Sequence, residues 1–335
     1  MTPSSDLSET LTADLYSRLL ARHYPWLPNP LPEDGPPFKS QVIDYWFNAN
    51  KLDSHARTIQ TQQYYDIAFH TALLPISRLI SPNIPPEQAV KTLMAHLPAP
   101  TSKEFPEQAL GLVLLLDQAP RGILKGANRR YLDSFFGPKL CIPLCRHLLK
   151  TLPIEQRADN LARWTDPVEQ GGLGYDIRNA IILRIYFYAP LFHSDSVADL
   201  ELGEEKTEQM RSDVEAFLGV RDANRNTREA DKHDPFLFRR LAQDADKRPS
   251  TWGAFVFWFC RLFEAKTPIV RQFGHVPYRN AVDGREENEA DRAFLEAQGL
   301  LGRVALPEED AAKIMEDVKA GVWTPMTDQE RPTLL

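Results

Sequence analysis

Three polar clusters interrupt segments that are otherwise apolar and helix-forming. In "LVLLLDQAPRG", Asp117, Gln118 and Arg121 follow a run of aliphatic residues. Asp117 and Arg121 are four apart, so on a helix they face the same way and can form an ion pair. In "YAPLFHSDSVADLE", Pro190 closes one segment and Ser194 is placed to cap the next, with Asp195 and Asp199 in its first turns. Two carboxylates a turn apart suit Mg2+, although acids at a helix N-terminus also simply complement its dipole. The third cluster, "KTPIVRQFGHVPYRNAVDGR", gathers Lys266, Arg271, His275, Tyr278, Arg279, Asn280 and Arg285. Just before it, Phe255, Phe259 and Leu262 recur at helical spacing, so an apolar stripe ends on the cation of Lys266. Acids hold Mg2+, cations hold phosphate oxygens, and aromatic faces stabilise a carbocation. Plainer readings stand beside these. The aromatic residues can be core, and a lysine near a helix C-terminus, with Pro268 two residues on, can favour the dipole and reach out to water.

The elements that must position these groups read as helices. "SETLTADLYSRLLARHY" carries Leu11, Leu15, Leu19 and Leu20 on one face. "FKSQVIDYWFNA" follows, then "TIQTQQYYDIAFHTALLPISRLI", interrupted by Pro75, and "PPEQAVKTLMAHL", opened by prolines. "EQALGLVLLLDQAPRGIL" predicts a central helix, and "GPKLCIPLCRHLLKTL" and "RNAIILRIYFYAPLF" predict further buried ones. A capped helix at "HSDSVADLELGEEKTEQMRSDVEAFLG", with Ser194 as its N-cap, leads into a charged surface excursion at residues 220–250, which includes a short helix. The aromatic helix 251–266 and two amphipathic segments complete the chain. No alternating pattern long enough for a strand appears, and no fixed-period repeat is present. The expectation is an all-α fold, a helical bundle or TPR-like helical array forming one domain over residues 1–335.

Composition narrows the function. With 335 residues, 43% of them hydrophobic, the chain can bury a real core. Its formal charge of −7, without a basic stripe, argues against nucleic acid as partner. No stretch reaches the length of apolar sequence that a membrane span needs. The N-terminus is polar and acidic rather than leader-like, so the expected location is the cytoplasm. Cys141 and Cys145 lie a turn apart and read as small core residues, not as a disulfide framework. No phosphate loop, dinucleotide fingerprint, nucleophile elbow or zinc-protease motif is present. His193, Ser194 and Asp195 look like a triad only in letters, because adjacent residues cannot converge.

Four segments in order, "VIDYWF", "LVLLLDQAPRG", "YFYAPLFHSDSVADLE" and "RQFGHVPYRNAVDGR", resemble the signature segments of a widespread helical family. Its bacterial members are catalogued as a domain of unknown function with a TPR-like fold. The resemblance covers about residues 41–288. The chain departs from the bacterial pattern at Asp195 (usually Glu), Tyr278 (usually His), Gly122 (usually Asn) and Lys266 (usually His). The fungal branch of this fold includes an unconventional class of sesquiterpene cyclases, the humulene synthases of tropolone-sesquiterpenoid pathways. "LFEAK" is similar to that branch's arrangement of a product-controlling Leu/Met one turn before an essential lysine, here Leu262 and Lys266.

The resemblance implies an isoprenoid diphosphate substrate, farnesyl diphosphate, held through two Mg2+ ions and cyclised to a humulene. On that expectation Asp117, Asp195 and Asp199 hold metal, and Lys266 is catalytic. Arg121, Arg279 and Asn280 bind the diphosphate end, and Phe255, Phe259 and Leu262 line the hydrocarbon chamber. A homodimer is compatible with this reading. Two alternatives come from other classes: a TPR-like binding scaffold without catalysis, and a hydrolase or isomerase using His193 or His275.

Overall fold

The expected all-helical chain forms, and no β-strand occurs among the described residues. The computed structural model describes residues 3–27, 29–32, 38, 67–80, 83–124, 128–243, 249–299, 306–322 and 326. The "VIDYWF" segment, the helix expected at "FKSQVIDYWFNA" apart from Phe38, and the start of the Pro75-containing helix lie outside them.

The centre of the packing is α5, Phe105–Ile123, preceded by α1 (Pro3–Thr10), α2 (Ala13–His23), α3 (Ile67–Ser77) and α4 (Pro86–Met94). Its run of Leu112, Val113, Leu114, Leu115 and Leu116 is buried on every side, as befits a helix that is apolar all round. It is packed by α2, by α3, by α6 and by α8 (Ile177–Tyr188). α6 is continuous over Tyr131–Cys141, Ile142–Arg146 and His147–Thr151, with the first and last stretches in the wider π register. That register surrounds Pro138, whose missing N–H interrupts an α ladder. This helix therefore begins earlier than "GPKLCIPLCRHLLKTL" suggests.

Other differences from the sequence reading have local causes. The first predicted helix is two helices, because the Thr12 hydroxyl accepts a hydrogen bond from the Leu15 N–H (3.2 Å) and starts α2 afresh. Pro75 lies within α3 rather than interrupting it, and the segment only tightens to a 3-10 turn at Arg78–Ile80. After the short α7 (Leu161–Thr165) and α8, a 3-10 turn spans Ala189–His193. The next helix, α9, is Val197–Leu218, whose N-cap position is Ser196, without a side-chain cap bond, and not Ser194. Ser194 is committed elsewhere: its hydroxyl donates to Asp199 Oδ2 (2.6 Å) and accepts from the Ser196 N–H (3.0 Å).

The described part of the charged surface excursion, residues 220–243 and 249–250, is fastened by ion pairs. It contains α10 (Arg228–Asp231) and α11 (Leu237–Gln243), and it leads into α12 (Trp252–Glu264). Buried Arg211 of α9 donates to Asp222 (2.8 Å) and to Glu264 of α12 (3.1 Å). Arg225 reaches Glu215 and Glu208 (both 2.6 Å), and Arg261 of α12 reaches Asp231 (2.6 Å). These pairs fix the charged stretch across α9 and α12. The chain ends through α13 (Thr267–Phe273), α14 (Asn280–Asp283), α15 (Glu289–Gln298) and α16 (Glu308–Ala320). Among the described residues no helix is long and apolar enough to cross a membrane.

α2 and α5 approach closely at Gly111 of α5, where an added Cβ would lie 2.5 Å from Tyr16 Cβ and 2.9 Å from Tyr16 Cα of α2. Gly111→Ala is expected to lower stability by about 1–3 kcal/mol through overpacking. Urea unfolding checks this, and an unchanged midpoint would contradict so close a contact between α2 and α5.

Candidate anion site at Lys266

The aromatic stripe is carried by α12, which Thr251 caps by accepting from the Ala254 N–H (3.2 Å). Phe255, Phe259 and Leu262 are all buried along it. The Phe255 and Phe259 rings meet edge to face with centres 5.5 Å apart, and Phe259 meets Phe263 at 4.6 Å. Phe263 in turn stacks on Phe192 at 5.0 Å, which ties α12 to the turn bearing His193. The helix ends at Ala265, and α13 opens with Pro268 in its first turn, where a proline is tolerated. Lys266 stands at the junction of the two helices.

Its side chain does not reach out to water. Lys266 is 8% exposed. Its Nζ donates to the Tyr278 hydroxyl and lies 3.4 Å from the centre of the Phe238 ring and 4.8 Å from that of Tyr278. Among the described residues no carboxylate is within ion-pair distance of it. Burial, reinforced by the nearby Arg121 and Arg279 guanidinium groups, pushes its pKa well below the ordinary lysine range.

The other cations around it are neutralised. Asp117 is buried on α5, and its Oδ1 accepts from Arg121 Nη2 (2.9 Å) and lies 3.0 Å from His193 Nδ1, while Oδ2 accepts from Gln118. Burial alone would raise this carboxyl's pKa, but Arg121 and His193 outweigh it and hold the group far below its usual range. Arg279 donates to the His193 carbonyl (2.5 Å) and to Asp195, which also accepts from Arg285 (2.9 Å) and from the Val276 N–H (3.1 Å). His193 is pushed down to about 4 by burial and by Arg121, against the opposing pull of Asp117. His193 Nδ1 lies 2.7 Å from Arg121 Nη2, which can only donate, and 3.0 Å from Asp117 Oδ1, which as a carboxylate can only accept, so the two contacts call for opposite tautomers of the ring.

Of the expected site residues, the structure thus brings Lys266, Arg121, Arg279, Asp117 and Asp195 into one neighbourhood, with Phe255, Phe259 and Leu262 along the helix leading to it. Asp199 and Asn280 are engaged elsewhere. Asp199 is held by the fork of Arg146 (2.6 Å to Nη2) and by Ser194. Asn280 donates to Asp291 (2.9 Å) and accepts from Arg285 (3.1 Å), while His275 contacts the same Asp291 oxygen at 3.2 Å. The shared helix face expected for Asp195 and Asp199 does not exist, because Asp195 precedes α9 and the two acids meet different arginines. Asp117, Asp195 and Asp199 are each committed to guanidinium groups, and no group of three or more His, Cys, Asp or Glu gathers among the described residues. As a donor set, these three carboxylates do not fit a Mg2+ ion.

Two contributors went without a role in the sequence reading. Phe238 comes from the charged 220–250 stretch, where the apolar letters of "PFLF" were the available signal. Tyr278 was visible as a departure from the bacterial pattern, and so was Lys266; the structure shows that these two departures touch.

A family model described as "Bacterial protein of unknown function (DUF924)" matches residues 42–299. No curated protein and no solved structure matches the chain.

A buried cation without a carboxylate is a cost to the fold. Lys266→Met is therefore expected to raise stability by about 1–2 kcal/mol at neutral pH. The depressed pKa adds a sign. Above its folded value the native state holds fewer protons than the unfolded one, so unaltered stability should rise with pH up to the unfolded lysine value. The Met variant should lack that rise. Urea titrations at several pH values decide this, and a destabilised Met variant would mean that Lys266 serves packing.

Proposed function

From the premise that the chain belongs to this family of unknown function, we propose that it is a sesquiterpene cyclase that converts farnesyl diphosphate to a humulene and diphosphate. The observation that carries the reading is the buried, carboxylate-free cation of Lys266 at the end of an aromatic stripe, with Arg121 and Arg279 beside it. The in-register resemblance of "LFEAK" to the fungal humulene synthases supplies the substrate. An apolar stripe ending on excess positive charge suits a molecule that is hydrocarbon at one end and polyanionic at the other.

Chemistry follows from that polarity. The allylic carbon–oxygen bond breaks with its electron pair going to the diphosphate, and Lys266 stabilises the negative charge that develops there. The distal double bond of the chain attacks the allylic cation and closes the macrocycle. A proton then leaves to the released diphosphate and the triene forms. Phe255, Phe259 and Leu262 exclude water and face the cation with aromatic and aliphatic surface. Following the resemblance, Leu262 steers alkene geometry. The same resemblance brings two Mg2+ ions, and metal dependence is part of the proposal, but no step is assigned to them through Asp117, Asp195 or Asp199.

A hydrolase built on His193 is a weaker reading, because its Nδ1 is already engaged by Arg121 and Asp117. His275 has its carboxylate contact with Asp291, remote from the stripe.

Incubation of the purified protein with farnesyl diphosphate and Mg2+, followed by gas chromatography of the hydrocarbons, tests the proposal. A humulene is expected, lost with EDTA and reduced about 100-fold or more in Lys266→Ala. Leu262→Met is expected to change the product ratio while keeping turnover. Absence of turnover with farnesyl, geranyl and geranylgeranyl diphosphates alike would contradict the reading.

A further inference from the structure

The charged stretch 220–243 delivers an aromatic ring onto Lys266, a buried lysine with no carboxylate at ion-pair distance among the described residues. Phe238 of α11 faces Lys266 Nζ at 3.4 Å, and Tyr278 meets the same Nζ through both its hydroxyl and its ring. The groups turned toward Lys266 from the surrounding elements are Arg121 of α5, His193 of the 3-10 turn, Tyr278 and Arg279 of the Pro277–Arg279 turn, and Phe238. Two of these are cations, one is a neutral imidazole, and two are aromatic rings. A carboxylate in their place would hold the ammonium but would also neutralise it and repel an incoming anion. Aromatic faces attract a cation through the ring quadrupole and leave its full charge available.

We propose that Phe238 and Tyr278 are positioning residues that clamp Lys266 in its ammonium form, so that the fastened stretch 220–243 contributes directly to binding the oxyanion end of the substrate. This rests on the reading of Lys266 as a diphosphate-binding cation. Burial, Arg121 and Arg279 all act against the charged amine, and the two rings are the groups that act for it. The latch pairs of Arg211 with Asp222 and of Arg261 with Asp231 hold the segment in the position from which Phe238 reaches the lysine. Phe238 is half-buried and packs against the main core, so the substitutions used below keep an apolar side chain there.

The test is the affinity of the full chain for inorganic diphosphate as a function of pH, with and without Mg2+. Binding requires the ammonium form, so affinity falls as pH rises through the lysine's own titration. Phe238→Leu removes a ring face; it is expected to weaken binding roughly 2- to 30-fold and to move the midpoint of that fall to lower pH. Phe238→Trp keeps a ring face and is expected to restore both. Tyr278→Phe, which keeps the ring and loses the acceptor, should fall between Phe238→Leu and the unaltered chain. Weaker binding with an unmoved midpoint, or binding identical to that of the unaltered chain, overturns the clamp and leaves the anion site standing. No binding by the unaltered chain in either condition overturns both the clamp and the reading of Lys266.

Discussion

One uncompensated charge organises this molecule. The fold contains a second fully buried lysine, Lys206, and it meets Asp159 at 3.0 Å with both side chains out of water. Arg211 is likewise buried and is balanced by Asp222 and Glu264. Lys266 alone of these three has aromatic rings where the others have carboxylates. Desolvating a charge without a counter-ion is among the costlier arrangements in a protein interior. Among the described residues, Lys206 and Arg211 are thus neutralised by carboxylates, whereas Lys266 faces rings and a hydroxyl.

The rest of the architecture serves that junction. α5 supplies Arg121 and Asp117 at the polar end of an apolar run, rigidly held because the helix is packed on every side. The 3-10 turn Ala189–His193 links the aromatic stripe, through Phe192 and Phe263, to the His193 ring and carbonyl that orient Arg121 and Arg279. α12 carries the stripe and ends where α13 begins, which places Lys266 at a helix break and turns its side chain inward. The ion pairs across 222–231 then bring Phe238 over it.

Much of this was legible in the letters, and the failures have identifiable physics. Helical periodicity revealed the all-α class, and the four-residue spacing of Asp117 and Arg121 revealed their ion pair. The stripe from Phe255 to Lys266 was visible at helical spacing, and burial of all four residues agrees with it. The helix start at Val197 was misread because Ser194 has two possible uses. Its hydroxyl bonds Asp199, a tertiary choice that capping preference cannot anticipate. The shared helix face expected for Asp195 and Asp199 inherited that misreading. Moreover, the arginines that engage them, Arg146, Arg279 and Arg285, are 53 to 90 residues away along the chain. Phe238 was hidden for a related reason: a ring inside a charged stretch has no local pattern, and only the latch to α9 and α12 gives it a position.

The central claim is that Lys266 is completed by the anionic end of an isoprenoid diphosphate. A crystal structure of the full chain with an unreactive farnesyl diphosphate analogue tests this directly. The account predicts a diphosphate oxygen at hydrogen-bond distance, about 3 Å, from Lys266 Nζ, with the hydrocarbon running along Phe259 and Phe255. An analogue bound at a site remote from Lys266, with the lysine still facing only Phe238 and Tyr278, would contradict it.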